Sequence, residues 1–429
     1  MSRGSAGTVE EAIPAGGRPL ARGCRSCGSW DLKPFLSLGN VPLPDNLVHP
    51  DRVDDHEPRF PLDVAFCPEC TLVQILADVP PEQLFVDNYL YFSSFSEGLL
   101  RHAREHAGAL IERKGLGMGS FVVELASNDG YLLRNFVDSG VRVLGVDPAP
   151  EQAAAATAAG VPTLQEFFGT ELARRIRSEH GAADVVIANN VMAHIPELND
   201  FVAGISHLLA DDGLVTVENP WVGDLVEQGE FDTIYHEHFF YYSCTAVDRL
   251  VRRHGLFLND VDYFPDLHGG TLRWYLGRQE QVSDRVRRRL DEEESDGLTS
   301  FAYYAGFADR VESTRAELLG LLTELKADGA RIAAYGAAAK GSTLVNYVGI
   351  GTELVDYVVD RNVHKHGLLM PGTHLPIRPV EALLEDQPDY VLILAWNFKD
   401  EIVAQQAEYA RRGGRFVVPI PRPTVLETR

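Results

Sequence analysis

Twice along this chain a short apolar run ends in a turn of small residues and opens a helical pattern. Phe121-Val122-Val123-Glu124-Leu125 leads into Ala126-Ser127-Asn128-Asp129-Gly130. Arg331-Ile332-Ala333-Ala334-Tyr335 leads into Gly336-Ala337-Ala338-Ala339-Lys340-Gly341. Each unit is followed by a second run ending in aspartate, Asp147 in one case and Asp360 in the other. Strands alternating with helices select a parallel, doubly wound sheet. Runs at 184–188 and 213–218 continue the first series, with helical patterns at 151–159 and 198–209, and 390–395 continues the second. A helical stretch at 284–328 lies between the two series. The expected fold class is therefore α/β, with two Rossmann-like domains. At ~150 residues per domain, 429 residues leave room for a third.

Charge narrows the partners. With 62 acidic against 39 basic side chains, the formal charge is −23. That argues against a nucleic-acid polymer or an anionic membrane held by bulk charge. No run approaches the ~20 apolar residues of a membrane span. Residues 1–22 are rich in Gly, Ala and Glu, have no apolar leader core and read as a disordered tail. The expectation is a cytoplasmic, monomeric enzyme.

Four of the five cysteines lie in a proline- and turn-rich stretch at 23–80. Cys24-Arg-Ser-Cys27 and Cys67-Pro-Glu-Cys70 are two C-x-x-C knuckles. Four soft thiolates so arranged suit tetrahedral zinc, and no His or carboxylate pattern suggests an open catalytic position. A structural zinc module is expected. Cys244 reads as a small core residue.

The first small-residue loop suits a nucleotide-like cofactor. A helix start offers free N–H groups, and Asp147, about 20 residues on, is placed for ribose hydroxyls. The loop has one glycine where a pyrophosphate fingerprint wants three. Glu124 on the strand fits a cationic, phosphate-free cofactor better than a dinucleotide. S-adenosylmethionine and NAD both remain open on the residues alone. In the second loop Lys340, Ser342 and the helix start form a local anion site, and Asp360 takes the ribose position of a dinucleotide fold.

Several motifs follow one another in order. They are the two cysteine knuckles, Tyr89-Leu-Tyr91-Phe-Ser-Ser, Glu124 to Gly130, and Ala193-His194-Ile195-Pro196. Glu218-Asn-Pro220, Tyr235-His236-Glu237-His238-Phe239-Phe240 and His268-Gly-Gly270-Thr-Leu-Arg273 come next. Tyr335 to Gly341 and Ala395-Trp396-Asn397 close the series. Through them the chain, from Cys24 to about Pro421, resembles the S-adenosylmethionine-dependent sugar C-methyltransferases that act on dTDP-linked 4-keto-deoxysugars in antibiotic pathways. Ala126 stands where the general methyltransferase motif has its first glycine.

The resemblance implies a zinc module at 23–80, a methyltransferase domain at 81–283 and, at 284–429, a helical linker with a sugar-nucleotide-binding domain. It implies that Glu124, Asn128, Asp129, Gly130, Asp147, Phe167, Phe168 and Asn189 surround S-adenosylmethionine. It implies methylation at C-3, next to the 4-keto group, with His238 as base beside Tyr235, Glu237 and His194. Tyr89, Tyr91, His268, Lys340, Ser342, Asp360 and Asn397 are assigned to the sugar nucleotide, with Trp396 and His366 near them. The alternatives are C-5 methylation of a similar sugar and an NAD-dependent sugar-nucleotide oxidoreductase or epimerase. A zinc-ribbon interaction module with inactive α/β domains is a third reading.

Overall fold

A computed structural model describes residues 23–80, 84, 92–267 and 269–427. They build three sheets. The tail at 1–22, Tyr89, Tyr91 and His268 lie outside the described residues.

The cysteine-rich stretch folds around antiparallel strands β1 (Lys33–Pro42), β2 (Arg59–Phe66) and β3 (Val73–Ile75). The prolines predict no long element here, yet β1 runs for 10 residues. Pro34 and Pro42 sit towards its ends, and β1 is the sheet's edge, where a missing N–H costs the ladder little. The fourth strand, β9 (Phe240–Tyr241), comes from far along the chain and pairs with β3.

The middle sheet has the order β10-β11-β8-β7-β4-β5-β6. Strands β4 (Phe121–Leu125), β5 (Arg142–Val146), β6 (Thr163–Leu164), β7 (Ala183–Asn189) and β8 (Leu209–Pro220) run parallel. β10 (Phe257–Phe264) and β11 (Thr271–Gly277) close one edge antiparallel. All five residues of β4 are buried, as expected of a central strand covered on both faces. Helix α1 (Glu97–Lys114) covers one face. The Ser96 hydroxyl caps its start by accepting from the Leu99 amide, a contact worth about 1 kcal/mol. Leu99, Ala103, Ala107 and Leu110 share a cluster with Val122, Val185 and Ile187 of the sheet.

The third sheet has the order β14-β13-β12-β15-β16-β17. β12 (Ile332–Tyr335), β13 (Val358–Asp360), β14 (Ile377–Pro379), β15 (Tyr390–Ile393) and β16 (Arg415–Val418) are parallel, and β17 (Thr424–Val425) is antiparallel. Helix α2 (Ala339–Val348) follows β12. The helical stretch before it is divided into 284–295, 301–304 and 307–327. No helix among the described residues is long and apolar enough to cross a membrane.

The three sheets are tied together. Val48 and Leu369 exchange backbone hydrogen bonds of 3.0 and 2.8 Å, and Glu57 accepts from the Gly372 amide. Residues of all three share one continuous apolar cluster.

Candidate functional site

The four knuckle cysteines converge. Their sulfurs lie within 4.8 Å of one another, with Cys24–Cys70 at 3.4 Å and Cys27–Cys67 at 3.6 Å. A tetrahedron with ~2.3 Å zinc–sulfur bonds has sulfur–sulfur edges of ~3.8 Å, so the donor set fits zinc. The knuckles share one backbone shape: the residue after each second cysteine-bearing turn, Gly28 or Thr71, has a positive φ and donates its amide to Cys24 or Cys67. The donors are all thiols and offer no open position, which is a structural rather than a reactive arrangement.

A cavity of about 670 Å³ opens at the carboxyl ends of β4, β5 and β7. In an open α/β sheet this is the place for a ligand. Asn128, Asp147, Phe167, Phe168, Asn189 and His194 all line it. Asp147 receives the Asn128 amide at 2.8 Å on one carboxylate oxygen and the Ala149 amide at 2.9 Å on the other. Burial nevertheless pushes its pKa up to about 6. Phe168 stacks edge-to-face on Phe201, giving the cavity an aromatic wall. Glu166, Glu171, Glu197 and Asp200 make the rim acidic, and Arg175 pairs with Glu166.

Glu124, Asp129 and Gly130 sit behind this lining. Glu124 is buried, and burial next to Asp147 and Asp129 holds its carboxyl well above the ordinary range. Gly130 has φ +75°, and a Cβ there would lie 3.0 Å from Val161, so it shapes the turn. Asn128 and Asp129 hold the roof: their side chains accept from the amides of Ser93 and Ser94, at 2.9 and 3.2 Å. The serines belong to the Tyr89–Ser94 motif, but nothing local in the sequence shows what they contact.

His238 and Tyr235 form a hydrogen-bonded dyad. The Tyr235 hydroxyl lies 2.8 Å from His238 Nε2, and His238 Nδ1 lies 3.0 Å from the Thr233 carbonyl. A carbonyl accepts only, so Nδ1 carries the proton and the Nε2 lone pair faces Tyr235. The His194 ring packs 4.6 Å from His238. His194 therefore stands between the cavity and the dyad. Burial pulls its pKa down to about 4, which keeps it neutral. Glu237 is buried too. Desolvation, then Asp45, push its carboxyl well above the usual range, and Lys365 opposes them. His236 turns away to the Pro61 carbonyl and the Phe60 ring of the zinc module.

Three regions grip this loop. Phe239 donates to Ala193 at 2.7 Å, β9 pairs with β3, and the C-terminal domain holds residues 231–233. There Trp396 Nε1 donates to Asp232 at 2.7 Å, and the Phe231 ring packs 5.3 Å from Tyr347.

In the C-terminal loop Asp360 receives the amides of Ala337 and Asn362, both at 2.7 Å. Lys340 turns inward, donating to Asn397 at 2.5 Å and lying 4.2 Å from the Trp396 ring centre. Asp232 and Glu230 are its charged neighbours. Burial pushes Glu230 up to about 8. Ser342 is buried within α2. The His366 ring meets the Asp360 carbonyl at 2.8 Å.

Comparison with known proteins agrees with this anatomy. Residues 24–85 match a family described as "Putative zinc binding domain", 98–259 one described as "Methyltransferase domain", and 266–421 one described as "C-methyltransferase C-terminal domain". The C-methyltransferase NovU of Streptomyces niveus is 38% identical over 412 residues, 95% of this chain and 97% of that protein. An uncharacterized methyltransferase of Mycobacterium leprae, MLBr02584, is 27% identical over 139 residues, 32% of this chain and 49% of that one. A crystal structure of magnesium protoporphyrin IX methyltransferase from Synechocystis with bound SAH covers 46% of this chain and 92% of its own, at 13% identity and TM-score 0.34. The chain belongs to the S-adenosylmethionine-dependent C-methyltransferase family, and the cofactors of this chain are S-adenosylmethionine and a structural zinc.

Proposed function

We propose that this enzyme methylates a dTDP-linked 4-keto-deoxysugar on the carbon next to the ketone, at C-3. The observation that carries the reading is the Tyr235–His238 dyad, separated from the cofactor cavity by a single imidazole, His194. The acidic cavity rim suits a cationic cofactor and disfavours a pyrophosphate. The bound cofactor supplies an electrophilic methyl on a sulfonium.

The remaining work falls to the protein. The ketone acidifies its α C–H, and His238 Nε2 takes that proton, leaving an enolate. The carbon nucleophile forms the new C–C bond as the methyl–sulfur bond breaks, and the proton passes from His238 to solvent. Tyr235 shifts from His238 to the enolate oxygen, where a donor stabilises developing charge. Glu237, its carboxyl raised above the usual range by burial, binds a sugar hydroxyl. We place the dTDP moiety in the cleft between the α/β domains, with Lys340 and Lys365 as its local cations within an acidic chain. Asn397 and Asp360 lie beside them, and His268, Tyr89 and Tyr91 stay assigned to the sugar side. C-3 is the flank favoured by the family resemblance.

Incubating the enzyme and S-adenosylhomocysteine with dTDP-4-keto-6-deoxyglucose in D₂O tests the base and the carbon together. Deuterium entering C-3, lost at least about a hundredfold in His238→Asn, is the expected result. Entry at C-5 alone moves the reaction to C-5, and undiminished exchange in the variant removes His238 as the base.

A further inference from the structure

We infer that Asp232 and Trp396 are positioning residues for His238, through which the C-terminal domain sets the geometry of the base. This rests on the reading of His238 given above. Three consecutive residues, 231–233, make a short 3-10 turn. Phe231 packs on Tyr347 of α2, and Asp232 accepts from the Trp396 indole. The third residue, Thr233, receives His238 Nδ1–H on its carbonyl. The turn thus has its first two side chains held by one domain and its last carbonyl holding the imidazole of another.

The clamp is a built one. Asp232 and Phe231 are fully buried, and Trp396 is 6% exposed. The indole that donates to Asp232 also lies against the Lys340 ammonium, which Asn397 fixes in turn. Among the described residues, Lys340 and Glu230 are the other charged groups facing this site. Among the described residues, Tyr235, His194 and Tyr241 also face His238.

The chemistry makes the link matter. A base works only when its lone pair points at the proton, and displacement by about 1 Å can cost about a hundredfold. The Thr233 carbonyl selects the tautomer whose lone pair is on Nε2. If the turn loosens, the imidazole loses that selection and can present N–H to the substrate instead. The docked C-terminal loop, with its Lys340 and Asn397, is also the side on which we place the nucleotide.

Two measurements test this on the full-length, zinc-loaded enzyme. Histidine-ring ¹⁵N spectra, with His238 assigned by the signal missing in His238→Asn, report the tautomer without substrate. Wild type should show one Nδ1–H form, and Trp396→Phe and Asp232→Ala a mixture. Asp232→Asn, which keeps an acceptor for the indole, should hold the single form. The D₂O exchange rate should fall about tenfold to a hundredfold in Trp396→Phe and Asp232→Ala, with less loss in Asp232→Asn. The loss should appear in kcat, and the affinity for S-adenosylmethionine should be little changed. An unaltered ring spectrum, or a loss confined to KM, overturns the inference. Wild-type exchange that survives in His238→Asn overturns the base assignment instead, and the ring spectra still decide the positioning.

Discussion

Two loops in this molecule are built alike and end in different states. Each follows the first strand of a parallel sheet, and each is bound by an aspartate from the next strand. Asp147 holds the amides of Asn128 and Ala149; Asp360 holds those of Ala337 and Asn362. Above the first loop lies an open cavity of about 670 Å³. Above the second lie the chain's own side chains. A Cβ on Gly336 or Gly341 would lie 3.0 Å from Ala395 or Leu394, and Lys340 is folded onto Asn397 and Trp396. The shared aspartate shows that this arrangement stabilises the loop itself. What packs over the loop decides whether a cofactor fits.

The largest expected difference is between the two aspartates. Asp147→Asn should weaken S-adenosylmethionine binding by about ten- to a hundredfold, as expected for losing a charged hydrogen-bond acceptor, while Asp360→Asn leaves it unchanged. Titration calorimetry on both variants checks this, and equal losses would break the comparison. The pH dependence follows from the same group. Asp147 is raised to about 6, so the ligand-free protein holds its proton below that value, and ionising it in the buried site costs stability as pH rises towards 6. On the proposal that Asp147 accepts from the cofactor's ribose hydroxyls, the ionised carboxylate is the stronger acceptor. Cofactor affinity should fall about tenfold per unit below pH 6, with proton release on binding near pH 6. A flat profile between pH 5 and 7 would sever the assignment.

The second loop predicts a smaller effect. Lys340→Ala should weaken dTDP binding by about tenfold and leave S-adenosylmethionine affinity alone. Fluorescence titration with dTDP reads it, and unchanged affinity would remove Lys340 from the nucleotide side. The smallest effect belongs to Ala126. It has φ +55°, a region where glycine is free of strain. Ala126→Gly should raise stability by about 0.5–1 kcal/mol with cofactor binding retained, measured by denaturant unfolding. A loss of stability would mean that the methyl's packing outweighs the strain.

The two loops and their aspartates were legible because buried parallel strands read as unbroken apolar runs, and acids at their ends stand out. The cysteine knuckles were legible from ligand spacing, whereas the Tyr235–His238 loop was singled out through the family resemblance. Prolines hid β1, because an edge strand tolerates them near its ends. The roof over Asn128 and the clamp on Asp232 were not legible. Their partners lie 35 and 164 residues apart, and only the packing of separate sheets brings them together. For the same reason the contacts of Lys340 with Asn397 and Trp396, between Asp232 and Glu230, were not legible.

One measurement bears most directly on the account. The enzyme is incubated with methyl-¹³C S-adenosylmethionine and dTDP-4-keto-6-deoxyglucose, and the product is read by carbon NMR. The label is expected as a methyl bonded to C-3, the ring carbon next to the ketone. Label on oxygen or nitrogen, or reduction of the ketone without methyl transfer, would contradict it.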